Sequence, residues 1–225
     1  MKVVVLSGAG VSAESGLKTF RDEDGLWEGH DVMEVATPQG FQENPELVFE
    51  FYNQRRRLLK TAEPNDAHRL IAELETDFDV HVVTQNVDDL HERAGSTNVL
   101  HLHGELFKVR PVNDPHTIID WRDDLNSGDK DEQGNQLRPH VVWFGEAVPA
   151  MTEAVQIVKH ADILIIVGTS LQVYPAAGLK DYVSPVTSIY LVDPNPGISE
   201  SKNLHIFAEN ASSGMQKIKH ILLNS

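Results

Sequence analysis

Two histidines in the segment His101-Leu102-His103-Gly104 carry the side chains best suited to chemistry near neutral pH. An imidazole titrates close to neutrality, so it can take a proton from a substrate or coordinate a metal. If this segment is one strand, His101 and His103 share a face and could form half of a metal site. The chain offers no third and fourth ligand at a metal-binding spacing. We therefore expect His101 to pack in the core and His103 to face a cleft as a base.

Two glycine-rich turns could hold phosphates. Gly8-Ala9-Gly10 follows the hydrophobic run Val3–Leu6, and Gly168-Thr169-Ser170 follows Ile163–Val167. Glycines let the backbone approach a pyrophosphate closely, and backbone amides and hydroxyl groups donate hydrogen bonds to it. The usual dinucleotide fingerprint is incomplete, because Ala13 stands where its third glycine is expected. Tight strand-to-helix turns without a ligand are the alternative interpretation.

Polar side chains also follow two further hydrophobic runs. Gln85, Asn86 and Asp88 come after the run that ends at Val83, and Asp193 comes after Val192. The amides could bind a carboxamide such as that of nicotinamide, or hold a water molecule. The carboxylate of Asp193 could accept hydrogen bonds from both hydroxyls of a ribose. Strand-end turns capped by Asn or Asp side chains are the alternative.

A third candidate site lies on a predicted helix over Glu46–Thr61. Tyr52 and Arg55 are three residues apart, so on a helix they share a face. A phenol beside a guanidinium could clamp a carboxylate, with the arginine bidentate. Because Arg55, Arg56 and Arg57 are consecutive, a basic helix face paired with surface acids is the alternative.

The elements that must position these residues alternate between strands and helices. This alternation predicts an α/β fold with a parallel, doubly wound sheet, in which the polar turns meet at the carboxyl ends of the strands. Residues 111–138 lack apolar periodicity and are rich in Asn, Asp, Gly and Pro, so we expect a loop-rich insertion there. The other predicted strands are Val80–Val83, Val99–His103, Val141–Phe144 and Ser188–Val192. The other predicted helices are one capped by Asn65, then Ala154–His160, Tyr174–Tyr182 and Gly214–Leu223.

Composition narrows the class of protein. The chain has 225 residues of which 40% are hydrophobic, enough for one domain or for a large and a small lobe. It has no cysteine, which excludes disulfides and thiolate metal sites, and its net charge of -15 argues against direct nucleic-acid binding. That charge favours a cationic partner such as a lysine-bearing segment, or simply keeps the surface solvated. We find neither a membrane-spanning run nor a signal peptide, so we expect a cytoplasmic protein without a membrane partner.

Five motifs in order resemble those of the sirtuin family of NAD-dependent protein-lysine deacylases. They are GAGVSAESGLKTFR, DGLW, TQNVDDLHERAG, HLHGE and GTSLQVYPAA, and the similarity extends from residue 3 to about residue 212. The bacterial desuccinylase-like class is the most similar. This resemblance implies a Rossmann-like parallel sheet with helices on both faces, formed by residues 1–27, 66–104 and 140–225. It also implies a small lobe made of two insertions, one helical over 28–65 and one ribbon-like over 105–139.

The resemblance also implies the roles of individual residues. His103, Asn86 and Asp88 would be catalytic, with His103 as the general base that takes a proton from a ribose hydroxyl. Tyr52 and Arg55 would recognise the distal carboxylate of a succinyl- or malonyl-lysine, and Ala36 would widen the acyl pocket. NAD would be bound by residues of the motifs or at matching positions: Gly8, Ala9, Gly10, Ser12, Glu14, Phe20, Arg21, Trp27, Gln85, Asn86, Val87, Asp88, Gly168, Thr169, Ser170, Asp193, Pro194, Asn195 and Ala211.

The implied reaction transfers the acyl group of a lysine to ADP-ribose and releases nicotinamide. Protein substrates carrying acyl-lysine would be the partners, and we expect a monomer. A protein ADP-ribosyltransferase on the same scaffold, a non-catalytic NAD-binding sensor and a hydride-transferring dehydrogenase are the alternatives. Intact Asn86, Asp88 and His103 argue against the sensor, and the Tyr52–Arg55 pair argues for a deacylase.

One departure from the family is the absence of the four cysteines that bind a structural zinc. The corresponding ribbon contains Asp114, His116, Asp120 and Asp131, but carboxylates with one imidazole make a poor structural zinc site. We therefore predict no metal. The ribbon must be stabilised by Ile118, Ile119, Trp121 and hydrogen-bonded turns, or be mobile.

Overall fold

The computed structural model describes residues 1–18, 27 and 29–224, which form two compact units. The larger unit comprises Met1–Lys18, Glu63–Leu102 and Val148–Ser225, and the smaller comprises Thr19–Ala62 and His103–Ala147. The strands are β1 (Lys2–Ser7), β2 (Asp79–Thr84), β3 (Val99–His101), β4 (Gly104–Pro111), β5 (Ile119–Asp120), β6 (Leu137–Val141), β7 (Ile163–Val167), β8 (Ser188–Val192) and β9 (Leu204–Phe207). The α-helices are α1 (Val32–Val35), α2 (Pro38–Glu43), α3 (Pro45–Thr61), α4 (Asp66–Glu73), α5 (Leu90–Ala94), α6 (Met151–Lys159) and α7 (Ala211–Leu223). None of the described helices is long and apolar enough to cross a membrane.

The larger unit is built on a six-stranded parallel sheet with the order β3-β2-β1-β7-β8-β9. Alternate residues of β1 point to opposite faces, because successive side chains of a strand do so. Val3 and Val5 pack in one cluster with residues of α4 and α7. Val4 and Leu6 pack in a second cluster with residues of α6 and of the 3-10 helix Ala176–Tyr182. The sheet is therefore covered on both faces, which confirms the predicted Rossmann-like α/β fold.

Strand order defines where this sheet can bind a ligand. The chain enters at β1 in the middle of the sheet, adds β2 and β3 on one side, and later adds β7, β8 and β9 on the other. The segments beyond the turns after β1 and β7 pack on opposite faces, with Val11 in the cluster of α4 and α7 and Ala176 in the cluster of α6. Such a switch point leaves a crevice outside the carboxyl ends of the two strands, and ligands of open α/β sheets bind there.

The smaller unit contains α1, α2 and α3 and a three-stranded antiparallel sheet with the order β5-β4-β6. Its apolar cluster joins Phe49 of α3 to Val109 of β4 and Leu137 of β6, with Leu125 from the connecting segment fully buried among them. Helix α3 begins at Pro45, where proline is tolerated, and Asn44 caps it by accepting from Leu47 N.

Two predicted strands were wrong in their extent. β3 ends at His101, so His101 and His103 do not lie on one strand. The chain turns at Gly104, which has φ +80° and where a Cβ would lie 2.1 Å from the carbonyl oxygen of His140. The predicted strand Val141–Phe144 is also displaced, because β6 ends at Val141.

Other elements differ in smaller ways. β4, β9, α1, α2 and α5 were not predicted, and α6 and α7 begin three residues before their predicted starts. The predicted helix Tyr174–Tyr182 is a 3-10 helix that begins at Ala176. The loop-rich insertion contains the short strand β5, and Ile119 and Trp121 pack on the apolar cluster as expected. Ile118 does not contribute in this way, since its side chain is 49% exposed.

Candidate functional site

The two glycine turns of the larger unit meet directly. Gly8 N donates to the carbonyl of Val167 at 3.0 Å, and Gly10 N donates to the carbonyl of Gly168 at 2.8 Å. A Cβ on Gly10 would lie 2.7 Å from Gly168 Cα, and one on Gly168 would lie 2.1 Å from Val11 N. Only glycine permits this approach, and Gly168 also has the positive φ of +66° that glycine adopts without strain.

A buried chain of hydrogen bonds begins beside these turns. The 3-10 helix Ala9–Ser15 follows β1 and buries Ser12. Asn86 Nδ2 donates to Ser12 Oγ at 3.1 Å, and Ser12 Oγ donates to Asp88 Oδ2 at 3.0 Å. Leu90 N donates to the other carboxylate oxygen at 3.2 Å. Burial raises the pKa of Asp88, although these hydrogen bonds oppose the rise. Asn86 and Asp88, which were predicted as catalytic, are thus fixed through Ser12.

His68 extends this chain and its protonation state follows from its partners. Asn65 N donates to His68 Nδ1 at 3.3 Å, so the proton of the neutral ring lies on Nε2. His68 Nε2 lies 3.4 Å from Ser12 Oγ. Since the Ser12 hydrogen points at Asp88, His68 is the donor in this contact. Burial lowers the pKa of His68 to about 4, so the ring is neutral at pH 7.

His91 forms a second buried side-chain contact, at the carboxyl ends of β1 and β2. Its Nε2 lies 2.9 Å from Ser7 Oγ, which itself donates to Thr84 Oγ1 at 2.9 Å. The rings of His91 and His68 meet edge to face with centroids 4.9 Å apart. Burial lowers the pKa of His91 well below its usual value, so this ring is also neutral. The ends of β1 and β2 are therefore joined through side chains as well as through the sheet.

The remaining predicted NAD residues of the larger unit lie in turns, in the 3-10 helix after β1 and at the start of α7. Gln85 Nε2 donates to Thr169 Oγ1 at 3.3 Å, which links the turns after β2 and β7. Asp193 Oδ1 accepts from Asn195 N at 2.8 Å, the turn geometry considered as the alternative role. Glu14 Oε2 accepts from Ser212 N at 2.9 Å in the first turn of α7, so Glu14 has a structural contact of its own. Ala9 and Val87 are half-buried, Ala211 is buried, and Ser170 and Pro194 are exposed.

The two histidines of the HLHG segment have different surroundings. His101 Nδ1 lies 2.9 Å from the carbonyl oxygen of Asn86, and Nε2 lies 2.7 Å from Glu92 Oε1. Both ring nitrogens are thus engaged, as expected for a packed histidine. His103 lies in the smaller unit between β3 and β4 and is half-buried, and its carbonyl accepts from Val142 N at 2.9 Å.

The predicted substrate residues lie in the smaller unit. Tyr52 is fully buried, and its Oη accepts a hydrogen bond from Trp143 Nε1 at 2.9 Å. Burial raises the pKa of Tyr52 to about 12, against the opposing charge of Arg55. The guanidinium of Arg55 lies over the Trp27 ring at 4.2 Å from its centroid. Ala36 is buried, and its carbonyl accepts from Phe144 N at 2.9 Å. Phe20 and Arg21 lie outside the described residues.

The ribbon without cysteines is attached to α3 by side-chain hydrogen bonds. Asn53 Nδ2 donates to the Leu125 carbonyl at 3.0 Å, and Leu125 N donates back to Asn53 Oδ1 at 2.9 Å. Arg56 is fully buried and donates to Asn53 Oδ1 at 2.8 Å and to the Leu106 carbonyl at 3.0 Å. These hydrogen bonds connect α3 to β4 and to the segment that carries Leu125.

Sequence reasoning missed several residues that shape these sites. His68, His91, Asn53 and Trp143 were assigned no role, although each is buried and hydrogen-bonded. Only His68 had a usable signal, because it stands three residues after the predicted cap Asn65 and completes a capping box. The other three depend on partners more than 70 residues away in the chain.

The fold and the site together define a class of protein. A doubly wound sheet with two glycine turns and polar side chains at its switch point is characteristic of proteins that bind nucleotides or dinucleotides. A model described as the Sir2 family matches residues 8–175, which is most of the chain, and the chain belongs to this family.

The chain is similar in sequence to curated relatives over nearly its whole length. The chain is 58% identical over 204 residues to the NAD-dependent protein deacylase of Helicobacter pylori strain ATCC 700392 / 26695, covering 91% of this chain and 87% of the relative. It is 51% identical over 228 residues to the NAD-dependent protein deacylase of Bacteroides thetaiotaomicron, covering 98% and 97%.

Solved structures are similar over the same extent. A Sir2 homologue in complex with NAD has a TM-score of 0.87 and 38% identity, covering 99% of this chain and 90% of that structure. A Sir2 protein bound to an acetylated peptide has a TM-score of 0.82 and 27% identity, covering 99% and 94%.

Proposed function

We propose that this protein is an NAD-dependent protein-lysine deacylase that accepts acyl groups ending in a carboxylate. The observation that carries the proposal is the hydrogen-bonded chain from Asn86 through Ser12 to Asp88 at the switch point of a Sir2-family sheet. The relatives described above are named NAD-dependent protein deacylases, which supports the general activity. No observation on the described residues favours the ADP-ribosyltransferase, the sensor or the dehydrogenase.

The donor set of the larger unit fits NAD. The two glycine turns present backbone amides that suit phosphates, and the side chains beside them offer amides, hydroxyls and a carboxylate for a ribose and a carboxamide. We assign the NAD contacts to Gly8, Ala9, Gly10, Ser12, Glu14, Phe20, Arg21, Trp27, Gln85, Asn86, Val87, Asp88, Gly168, Thr169, Ser170, Asp193, Pro194, Asn195 and Ala211. When bound, NAD supplies a ribose carbon from which nicotinamide can leave.

Residues of the chain perform the remaining tasks. Asn86 and Asp88 hold their polar groups in one arrangement because Ser12 connects them, so little reorganisation is needed when charge develops nearby. His103 accepts a proton from a ribose hydroxyl and thereby directs the acyl transfer. Water must be excluded until this transfer is complete, because the acyl oxygen of an amide is a weak nucleophile.

Acyl selectivity is assigned to the smaller unit. Tyr52 stays protonated at physiological pH because its pKa is about 12, so its hydroxyl can donate to a carboxylate. Arg55 stands one turn further along α3, and its guanidinium is oriented by stacking on Trp27. A fork of this kind binds a carboxylate in a bidentate manner. Ala36 leaves room for an acyl chain longer than acetyl. We also propose that the protein is cytoplasmic and monomeric.

The decisive experiment follows NAD consumption with matched acetyl- and succinyl-lysine peptides and identifies O-acyl-ADP-ribose by mass spectrometry. We expect turnover of both peptides by the wild type and a loss of at least about 100-fold in His103→Ala, the usual size of a general-base effect. His116→Ala is the matched control, because His116 is exposed in the same unit. Retained turnover in His103→Ala would refute the base assignment, and no NAD consumption with any acyl-lysine would refute the function.

The acyl preference has its own test in Arg55→Met. A charge-assisted bidentate contact stabilises binding enough that its loss should lower kcat/KM for the succinyl peptide by about 10- to 100-fold, while deacetylation should change far less. Arg57→Met is the control, because Arg57 is exposed and pairs with Asp124. Equal losses on both peptides would identify Arg55 as a structural arginine.

A further inference from the structure

The contact between Trp143 and Tyr52 fixes the direction of a hydroxyl proton. An indole nitrogen can only donate a hydrogen bond, so in the 2.9 Å contact from Trp143 Nε1 the oxygen of Tyr52 must be the acceptor. Among the residues that the structure describes, this is the one hydrogen bond made by Tyr52 Oη. The hydroxyl proton therefore points away from Trp143 and remains available as a donor.

Trp143 is itself held from two sides. The guanidinium carbon of Arg138 lies 3.4 Å from the centroid of the Trp143 ring. Arg138 donates to both carboxylate oxygens of Glu146, at 2.7 Å and 3.1 Å. Glu146 Oε2 in turn accepts from the backbone N of Trp143 at 2.8 Å. The indole ring thus has its backbone and one face fixed by the same ion pair.

The partners of Glu146 favour its charged form. Burial opposes ionisation of Glu146, but the hydrogen bonds from Arg138 and Trp143 N together with the charges of Arg138 and Arg110 lower the pKa of the carboxyl group. Arg138 is 5% exposed, so this arrangement is shielded from solvent. The contacts that hold the indole therefore lie in a largely buried environment.

We propose that Trp143 is a positioning residue that sets selectivity for carboxylated acyl groups by turning the Tyr52 hydroxyl proton toward the substrate. The proposal rests on the proposed carboxylate clamp of Tyr52 and Arg55. Without the indole donor, the hydroxyl gains freedom to rotate, and part of its donor capacity is lost to other orientations. A neutral acetyl group has no carboxylate to receive that proton, so its turnover does not depend on the orientation.

The test compares Trp143→Phe with Trp121→Phe. Trp121 Nε1 donates to the Asp124 carbonyl at 3.2 Å in the same unit, so its replacement removes an equivalent indole donor away from Tyr52. We expect Trp143→Phe to lower kcat/KM for a succinyl-lysine peptide by about tenfold and for the acetyl-lysine peptide by less than about twofold, the range expected for one hydrogen bond. Trp121→Phe should leave the ratio of the two activities unchanged.

A double-mutant cycle with Tyr52→Phe separates positioning from packing. If Trp143 acts through the Tyr52 hydroxyl, Trp143→Phe should have no further effect on desuccinylation once that hydroxyl is absent. Equal losses on both peptides, or additive losses in the cycle, would overturn the proposal and make Trp143 a packing residue. Either outcome would still agree with the proposed Tyr52–Arg55 clamp if Tyr52→Phe alone impairs desuccinylation. A wild type without desuccinylase activity would instead remove the clamp itself.

Discussion

The two units position their polar residues by different means. In the larger unit the candidate NAD residues follow strand ends, and the parallel sheet itself brings Gly8, Asn86 and Gly168 to one edge. In the smaller unit, side chains of α3 such as Asn53 and Arg56 bond directly to backbone groups of distant segments. The arrangement of polar residues in the larger unit therefore follows from the sheet topology. In the smaller unit it depends on individual side-chain contacts.

This difference bears on the missing cysteines. A structural zinc would connect segments of a ribbon through a few strong bonds. Here buried hydrogen bonds between Asn53, Arg56 and Leu125 connect α3 to the corresponding segment, and Leu125 adds an apolar anchor. Each such bond is weak, but a buried polar group that loses its partner is costly. We therefore expect the smaller unit to be the more sensitive of the two to single substitutions.

The largest effect should come from Asn53→Ala. It removes the partner of both backbone groups of Leu125 and of Arg56 Nη1, all of which are buried. At about 1–3 kcal/mol for each unsatisfied group, partly relieved by relaxation, we expect the free energy of unfolding to fall by about 4 kcal/mol. Urea denaturation followed by tryptophan fluorescence measures this loss. All 3 tryptophans of the chain lie in the smaller unit, so the signal reports on it directly.

Gln54→Ala is the matched control for that substitution. Gln54 is the next residue on α3, and its side chain donates to Glu50 on the exposed face. Its replacement should change the free energy of unfolding by no more than about 0.5 kcal/mol. If the free energies of unfolding of the two variants differ by less than about 1 kcal/mol, the hydrogen bonds of Asn53 do not stabilise the ribbon. The contrast between the two units would then be wrong.

The second effect concerns the larger unit and its buried histidines. The pKa of His68 is lowered to about 4, so acid favours the unfolded chain, whose histidine binds a proton near pH 6.5. This contribution to stability is complete above pH 6.5 and is lost as the pH falls toward 4. Between pH 7 and pH 5 we expect it to remove about 2 kcal/mol from the free energy of unfolding. Urea denaturation followed by far-ultraviolet circular dichroism at both pH values measures the loss.

His68→Gln isolates the contribution of this residue. Glutamine keeps an N–H donor for Ser12 but does not titrate. The decrease in the free energy of unfolding between pH 7 and pH 5 should therefore be smaller by the amount that His68 contributes. It should not vanish, because the pKa of His91 is also depressed by burial. His160→Gln is the control, since His160 is exposed on the same unit. An unchanged pH dependence in His68→Gln would show that the ring is not buried in its neutral form.

The sequence predicted the parts of the molecule that follow from local patterns. Hydrophobic runs such as Val3–Leu6 and Ile163–Val167 predicted the central strands, and the polar residues after them indicated the edge proposed as the NAD site. The turn at Gly104 was missed because it requires a positive φ and the close approach of His140, which a hydrophobic alternation does not reveal. For the same reason His101 and His103 were wrongly placed on one strand.

The smaller unit was less predictable because its contacts join residues far apart in the chain. Trp143 and Tyr52 are separated by 91 positions, and Asn53 and Leu125 by 72. A helical period places Tyr52 and Asn53 on α3, but it does not say which distant donor or acceptor each side chain meets. The family resemblance assigned a role to Tyr52, while the partner that orients its hydroxyl became visible only in the structure.

The smallest effect should come from metal removal. Two of the carboxylates considered in place of the missing cysteines, Asp114 and Asp131, are engaged in turns. Asp114 accepts from His116 N at 2.8 Å and from Thr117 Oγ1 at 2.6 Å. Asp131 accepts from the backbone N of Gln133 at 2.9 Å and of Asn135 at 2.7 Å. These contacts orient the oxygens toward the local backbone, and the described residues contain no cluster of three or more ligands.

Incubation with a strong chelator should therefore leave the thermal midpoint and the tryptophan fluorescence unchanged. Asp131→Ala should lower the free energy of unfolding by about 1 kcal/mol whether or not the chelator is present, because it removes a turn cap and not a metal ligand. A chelator-induced drop in the thermal midpoint that added zinc reverses would mean that the ribbon is stabilised by a metal after all. The distinction between a unit organised by its sheet and a unit organised by side-chain hydrogen bonds would then lose its main support.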